Sequence, residues 1–456
     1  MVFRFLWASI AVAGVLSAGV ARVQLAERSD VLGGAPMGAA GPYERITARV
    51  YFAVDPRLPA NRIITDIDLA PRNAAGLVEF SSDLYVLKPR DPAKGNGTVL
   101  FEVPNRGGKG MLGSFNLAAA SRDPRTPEHF GDRSLLEKGF TLVWLGWQAD
   151  VPRMPDLLRL YAPAATDGGK PITGLVRAEF TPDKPATVMP LADRNHLAYP
   201  VLDANDASAA LTVRDRATAP RRTIPRGQWR FPDPEHAELR AGFEPGKIYE
   251  LVYRSKDPVI VGLGPAAIRD FISFLKYGGP ETLLADQRRH IRHAIGWGVS
   301  QSGRFLRTFL YYGFNADEKG RRVFDGVWAH VAGAGRGSFN HRFAQPSRDG
   351  HPHFNTFYPT DIFPFSGAAQ TDPETGLTDG ILLRAAEQKA VPRMFQTNGS
   401  YEYWGRSAAL IHTTIDGRAD LPPAPPPRRC GQGGTHPRPG RITPPPDPTP
   451  PVAEPN

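Results

Sequence analysis

The sequence HAIGWGVSQSGRFLRTFLYYG occupies residues 293–313 and contains the most informative turn of the chain. The apolar run from Ala294 to Val299 predicts a buried strand, and three aromatic residues recur at helical spacing behind it. Gly313 is a typical residue for the end of such a helix. The sequence therefore predicts a strand, a tight turn at Ser300 and a helix.

The turn has small residues on both sides of its serine, Gly298 two positions before and Ser302 two positions after. A serine in this setting is typical of the nucleophile elbow of α/β-hydrolases. The turn strains the backbone of Ser300 and leaves no room for large side chains beside it, and the following helix points its first amides at developing negative charge. Because the pattern is G-x-S-x-S rather than G-x-S-x-G, an ordinary strand–helix turn remains the alternative.

A nucleophilic serine needs backbone N–H donors that stabilise the oxyanion. In this fold one donor is the residue after the nucleophile, here Gln301, and the other lies in a loop after an earlier strand. The apolar run TVLFEV at 98–103 predicts that strand, and the glycine-rich loop NRGG follows at 105–108. We therefore predict Gly107 and Gly108 as donors, with a plain glycine turn as the alternative.

The chain order of the catalytic residues in this fold is serine, acid, histidine. The run VPRMFQTNG at 391–399 predicts a strand, and Glu402 follows its carboxyl end, where the orienting acid belongs. A solvated residue that opens the next helix is the alternative for Glu402. Only His412 and His436 lie beyond it. His412 fits a surface position at a helix end, so His436 is the candidate general base, although it lies in a segment unsuited to hold a base in place.

The remaining patterns predict an α/β fold up to about residue 420. Residues 46–87 alternate and turn repeatedly, which indicates antiparallel strands, whereas 98–103 and 140–147 are almost entirely apolar. Strands of the second kind, alternating with helices, indicate a mostly parallel sheet flanked by helices on both faces. Residues 150–255 contain strand-like runs between proline-rich turns and no long helix, which predicts an inserted antiparallel β layer.

The two ends of the chain differ from the middle. Residues 1–21 place Arg4 before an apolar run that small residues close, the layout of a signal peptide, so we expect export; an uncleaved anchor is the alternative. Residues 22–42 are expected to be a loose lead-in to a domain at 43–420. Residues 421–456 hold 14 prolines, which predicts a disordered tail, partly polyproline.

Composition excludes several classes of protein. Of the 456 residues, 41% are hydrophobic and 22% charged, as in folded globular proteins. The net charge of +9 comes from 44 arginines against 11 lysines, but these are scattered, so we expect no nucleic-acid partner. The single cysteine, Cys430, excludes an internal disulfide framework and a multi-cysteine zinc site. No cofactor and no metal site are expected.

Several well-spaced blocks together resemble the alpha/beta hydrolase domain family of exported bacterial proteins. These blocks are VPNRGGKG, GVSQSGRFLRTFLYYGFN, HVAGAGRGSFNHRF and NGSYEYWGRSAALIHTT. The resemblance covers about residues 43–420 and implies the α/β-hydrolase fold, with Ser300 as nucleophile and Glu402 as acid. Family members continue past the last block with another strand, a Gly-Thr-Gln-His-like segment and a final helix, whereas Gly434-Thr435-His436 only faintly echoes that segment. A truncated or frame-shifted gene is one hypothesis for this departure.

Together these observations predict an exported serine hydrolase that acts on a small-molecule carboxylic ester through an acyl-enzyme on Ser300. The insertion at 150–255 is expected to help define the substrate pocket. No stable membrane association is expected once a signal peptide is cleaved. A different class remains open, a catalytically inactive binding protein on the same scaffold, because the histidine-bearing segment of the family is altered here.

Overall fold

The computed structural model describes residues 19–192, 196–278, 290–348 and 361–422. The strands in these ranges are β1 Gly19–Asp30, β2 Tyr43–Val54, β3 Val78–Pro89, β4 Thr98–Glu102, β5 Thr141–Leu145, β6 Leu160–Tyr161, β7 Thr166–Asp167, β8 Lys170–Pro171, β9 Thr173–Phe180, β10 Ala186–Pro190, β11 Ala210–Arg214, β12 Arg222–Ile224, β13 Trp229–Asp233, β14 His236–Phe243, β15 Ile248–Lys256, β16 His293–Val299, β17 Gly326–His330, β18 Gln370–Thr371, β19 Thr378–Asp379 and β20 Arg393–Thr397. The α-helices are α1 Pro59–Arg62, α2 Met111–Asn116, α3 Ser134–Glu137, α4 Leu263–Tyr277, α5 Gln301–Tyr311, α6 Leu383–Glu387 and α7 Ser400–Gly405.

The main sheet has the order β1-β2-β3-β5-β4-β16-β17-β20, and β6 pairs with β3. Strands β5, β4, β16, β17 and β20 run parallel to one another, while β1, β2, β3 and β6 pair antiparallel. Strands β4 and β5 are buried on both faces, which is why their sequences are apolar at nearly every position. The predicted α/β architecture, with antiparallel strands at its start, is confirmed.

Each face of the main sheet packs against its own core. Phe101 and Val143 point to the face that α4 and α5 cover, with Phe305 of α5 in the same cluster. Leu100 and Trp144 point to the opposite face and join the cluster that includes residues of α2 and α3. The sheet is therefore covered on both sides, as the doubly apolar strands predict.

The insertion forms a separate antiparallel layer, as predicted. One sheet has the order β12-β11-β15-β9 and another the order β10-β14-β13. A core with Leu211, Trp229 and Leu251 at its centre joins the two sheets. No α-helix lies between 150 and 255 in the described residues of that range.

The expected loose lead-in at 22–42 is wrong. Strand β1 pairs antiparallel with β2, from Gly19 opposite Ala53 to Asp30 opposite Glu44, and Met37 beyond it is fully buried. Two register shifts within β1 interrupt the alternation of its sequence, so the pattern did not indicate a strand. Because β1 begins at Gly19, the last three residues of the predicted signal peptide lie in this strand.

Two predictions about the ends fall outside the described residues: the body of the signal peptide, at 1–18, and the proline-rich tail from 423 onward. Among the described helices, none combines the length and the apolar character needed to cross a membrane.

Strand β20 is the last strand of the described sheet. Phe395 on this strand is 51% exposed, and Trp404 just beyond it is 82% exposed.

Candidate active site

Ser300 lies in the turn between β16 and α5 and is half-buried. Its backbone has φ 54° and ψ −112°, a conformation that non-glycine residues rarely adopt and that costs free energy. Its N–H donates to the carbonyl oxygen of His330, 2.8 Å away, and its carbonyl accepts from Arg304 N at 3.0 Å. A strained serine at a strand–helix junction is the geometry that a nucleophile elbow requires.

Two glycines allow the turn to be this tight. A Cβ at Gly298 would lie 2.4 Å from the carbonyl oxygen of Ser302, and one at Gly303 would lie 2.9 Å from the Cβ of Ala332. Ser302 is buried, but the second position without room for a side chain is 303, where α5 approaches β17. The sequence predicted the second crowded position at Ser302, two residues after Ser300. In the structure this position is Gly303, three residues after it.

The first backbone amides of α5 lie directly after the turn. Helix α5 begins at Gln301, and the amides of a first helical turn point away from the helix toward its N-terminus. The Gln301 amide follows the serine directly, and the helix dipole favours negative charge at this end. This end of α5 is therefore suited to stabilise an oxyanion formed at Ser300.

The loop at 105–108 lies beside the elbow because Val103 N donates to Trp297 O at 2.9 Å, which aligns the ends of β4 and β16. Gly108 N donates to Asn105 O at 3.1 Å, so the Gly108 amide is used within the loop. Gly107 has φ 75°, and a Cβ there would lie 2.8 Å from Leu158 O. In the described part of the chain the Gly107 amide makes no hydrogen bond, so it is the better placed of the two predicted donors.

The side chain of Gln148, which no sequence pattern indicated, connects this loop to the elbow. Arg106 N donates to Gln148 Oε1, Gln148 Nε2 donates to Gln301 Oε1, and each distance is 2.8 Å. Gln301 Nε2 in turn donates to the carbonyl oxygen of Pro346 at 2.8 Å. Gln148 and Gln301 are each 1% exposed. Gln148 follows the carboxyl end of β5, and a polar residue at that end of a buried strand was the available signal.

Two carboxyls flank the loop, the buried Glu102 and the half-buried Asp150. Glu102 at the end of β4 accepts from Gly110 N and Met111 N at 2.9 and 2.7 Å, and also from the indole of Trp144. Burial raises the pKa of Glu102 to about 7. This carboxyl fixes the far end of the loop that begins at residue 103.

Asp150 is the second carboxyl, and burial raises its pKa to about 6, against hydrogen bonds that favour its charged form. It accepts from Ser347 N and Ser347 Oγ at 2.9 and 2.7 Å. Ser347 O accepts from Arg106 Nε at 2.7 Å. The Arg106 side chain is thus linked to Asp150 through Ser347.

Glu402 is the third residue of α7, two strands away from Ser300 because β17 separates β16 from β20. At the usual strand spacing, β16 and β20 lie about 10 Å apart, a separation that suits an acid acting through a histidine. Glu402 Oε2 accepts from Gly399 N at 2.9 Å, so Glu402 also caps its own helix. The structure therefore contains the contact expected of a residue that opens the helix, and the residue that makes it is the one predicted as the acid.

Among the described histidines, none is hydrogen-bonded to Ser300. His436 lies outside the described residues. His412 follows a short 3₁₀ helix, is half-exposed and lies 3.7 Å from Asp420, which matches the surface position expected for it. His330 lies next to the elbow but its Nδ1 is 2.7 Å from Thr397 Oγ1. The described residues also contain no group of three or more His, Cys, Asp or Glu side chains suited to a metal ion.

Residues 204–418 match the family described as Alpha/beta hydrolase domain. The match includes Ser300 and Glu402 and begins after the loop at 105–108. No curated protein matched the sequence.

Proposed function

We propose that the protein is a serine hydrolase that cleaves small-molecule carboxylic esters, because residues 204–418 match a family described as Alpha/beta hydrolase domain, which suggests a hydrolase. The observation that carries this proposal is the backbone of Ser300, with φ 54° and ψ −112° at the start of α5. Strain of this kind persists where the surroundings enforce it and is concentrated at functional sites.

The proposed reaction has two steps. Ser300 Oγ attacks the ester carbonyl while a histidine takes its proton, and the amides of Gln301 and Gly107 stabilise the oxyanion. The intermediate collapses to an acyl-enzyme as the alcohol leaves with that proton, and water then releases the acid by the reverse sequence. Glu402 orients the histidine, for which His436 is the candidate.

We also propose that the protein is exported, supported by Arg4 and the apolar run that follows it. Cell fractionation and N-terminal sequencing of the native protein test this. Recovery of a mature chain outside the cytoplasm is the expected result, and a cytoplasmic chain that begins at Met1 would contradict it.

The activity is tested with a fluorophosphonate probe and short-chain nitrophenyl esters. Wild type is expected to label at Ser300 and to hydrolyse the esters, and Ser300→Ala is expected to do neither. Ser302→Ala is the matched control, because the buried Ser302 Oγ has no hydrogen-bond partner among the described residues, so its loss removes no contact seen there.

Two outcomes would contradict the proposal. Equal turnover by Ser300→Ala would remove Ser300 from the mechanism. A wild-type protein that neither labels nor hydrolyses any ester would favour the inactive binding protein on the same scaffold.

A further inference from the structure

We propose that Gln148 is a positioning residue for the oxyanion hole. Its side-chain amide joins the loop that carries Gly107 to the elbow that carries Gln301, and so fixes the distance between the two donors. This inference rests on the proposed function, because it concerns the same oxyanion.

The direction of the hydrogen bonds is fixed at both ends by the backbone. The N–H of Arg106 is only a donor, so the atom of Gln148 that faces it must be the oxygen. The carbonyl of Pro346 is only an acceptor, so the atom of Gln301 that faces it must be nitrogen. These two choices leave Gln148 Nε2 facing Gln301 Oε1, a donor facing an acceptor. Neither amide therefore has a second orientation that keeps all three bonds.

The bridge is also shielded from water. Gln148 and Gln301 are each 1% exposed, and the backbone of Gln148 is anchored because its carbonyl accepts from Leu160 N at 3.0 Å. A buried N–H that loses its partner has no easy access to solvent, so the chain around it must shift. The bond from the Arg106 N–H to Gln148 is part-buried, so loss of the Gln148 acceptor leaves this N–H with restricted access to solvent.

Of the two donors predicted from the sequence, Gly107 and Gly108, only the Gly107 amide is left for the oxyanion. The Arg106 amide is bound by Gln148, and the Gly108 amide is bound by Asn105 O. Gly107 lies between these two fixed points, so its amide is held in place although it makes no hydrogen bond in the described part of the chain. A change at residue 148 thus moves the donor without touching it.

Two substitutions of similar volume separate the bonds from the packing. Gln148→Met removes both hydrogen bonds and keeps the shape. Gln148→Glu keeps an acceptor for Arg106 N but places a second acceptor against Gln301 Oε1. We expect each to lower kcat by about 10- to 100-fold with KM within about threefold, because small displacements of transition-state donors lower the rate and leave ground-state binding intact. Gln388→Glu, at an exposed amide on the surface, is the matched control and is expected to keep wild-type kinetics.

Acid pH distinguishes positioning from damage to the fold. A protonated carboxyl has one O–H donor and one acceptor oxygen, as an amide side chain has, so it restores the bond to Gln301 Oε1. The ratio of Gln148→Glu activity to wild-type activity is therefore expected to rise as pH falls, while the ratio for Gln148→Met stays constant. Asp150 and the guanidinium of Arg106 lie near the bridge in all three proteins, and the ratio for Gln148→Met shows any effect of pH that they cause without a new carboxyl at position 148.

Hydrogen exchange at the Arg106 amide gives a measurement that does not depend on turnover. Exchange is expected to be at least about tenfold faster in Gln148→Met than in wild type, and unchanged in Gln388→Glu. Unchanged exchange together with unchanged kcat in both Gln148 variants would overturn the bridge and leave the proposed function standing. A wild-type chain without turnover would overturn both the bridge and the proposed function. The activity of wild type is therefore measured before any variant is compared.

Discussion

The backbone N–H of Ser300 donates to the carbonyl oxygen of His330 at 2.8 Å, so the end of one parallel strand holds the turn at the end of its neighbour. The contact continues the register in which Val299 lies opposite His330. The serine is therefore fixed by the sheet on one side and by the first turn of α5 on the other. A backbone conformation with φ 54° persists because both supports act on the same residue.

Gly298→Ala is expected to destabilise the fold by about 2 to 3 kcal/mol, because an added Cβ lies 2.4 Å from Ser302 O and the backbone must move. Urea unfolding measures the loss. Gly326→Ala is the matched control, since the Cβ of this other strand glycine meets its nearest neighbour at an ordinary 3.7 Å. Equal losses of stability in the two variants would show that the turn is not crowded at Gly298.

Gly107→Ala is expected to abolish most ester hydrolysis as well as destabilise the loop. Its Cβ would lie 2.8 Å from Leu158 O, at a φ of 75° that alanine also disfavours. Gly76→Ala separates these two causes, because Gly76 has φ 77° and open space around its Cβ position. That control is expected to lose about 1 kcal/mol from the backbone conformation alone and to keep full activity. An active Gly107→Ala would contradict the assignment of its amide to the oxyanion.

The local parts of the fold were predictable because their signals are contiguous in the sequence. An apolar strand, Ser300 and a helix with an aromatic stripe lie within 293–313, and the structure has β16, the turn and α5 there. The antiparallel layer was predictable for the same reason, since its strands alternate with turn residues at short intervals.

What the sequence did not indicate depends on non-local contacts or on broken patterns. Gln148 and Gln301 are 153 residues apart, and their contact exists only because β4 lies between β5 and β16 in the sheet. Strand β1 carries two register shifts, which hide its alternation. The crowded position at Gly303 depends on how closely α5 approaches β17, which no local pattern specifies.

Glu402→Gln is expected to lower kcat by about 10² to 10⁴ while the stability changes little. The amide oxygen of glutamine still accepts from Gly399 N, so the helix cap is kept, but the charge that stabilises an imidazolium is lost. Glu402→Ala removes the cap as well, and about 1 kcal/mol of stability with it. Steady-state kinetics and urea unfolding of the two variants separate the roles, and a fully active Glu402→Gln would leave only the capping role.

The Glu102 carboxyl makes the stability of the protein depend on pH, and the variant Glu102→Gln removes this contribution. Burial raises the pKa of this carboxyl from 4.5 to about 7 in the folded state, so the folded chain retains a proton that the unfolded chain releases above pH 4.5. Its contribution to the free energy of unfolding is therefore complete below pH 4.5. About 3 kcal/mol of this contribution is lost as the pH rises toward 7.

Glu102→Gln resembles the protonated form, since its amide oxygen takes the place of Oε2 and accepts from Met111 N and the indole of Trp144. Urea unfolding between pH 4.5 and 8 is expected to show wild type losing stability relative to this variant, while other titrating groups cancel in the difference. A difference that does not change with pH would mean that the carboxyl stays charged throughout, stabilised by its three N–H donors.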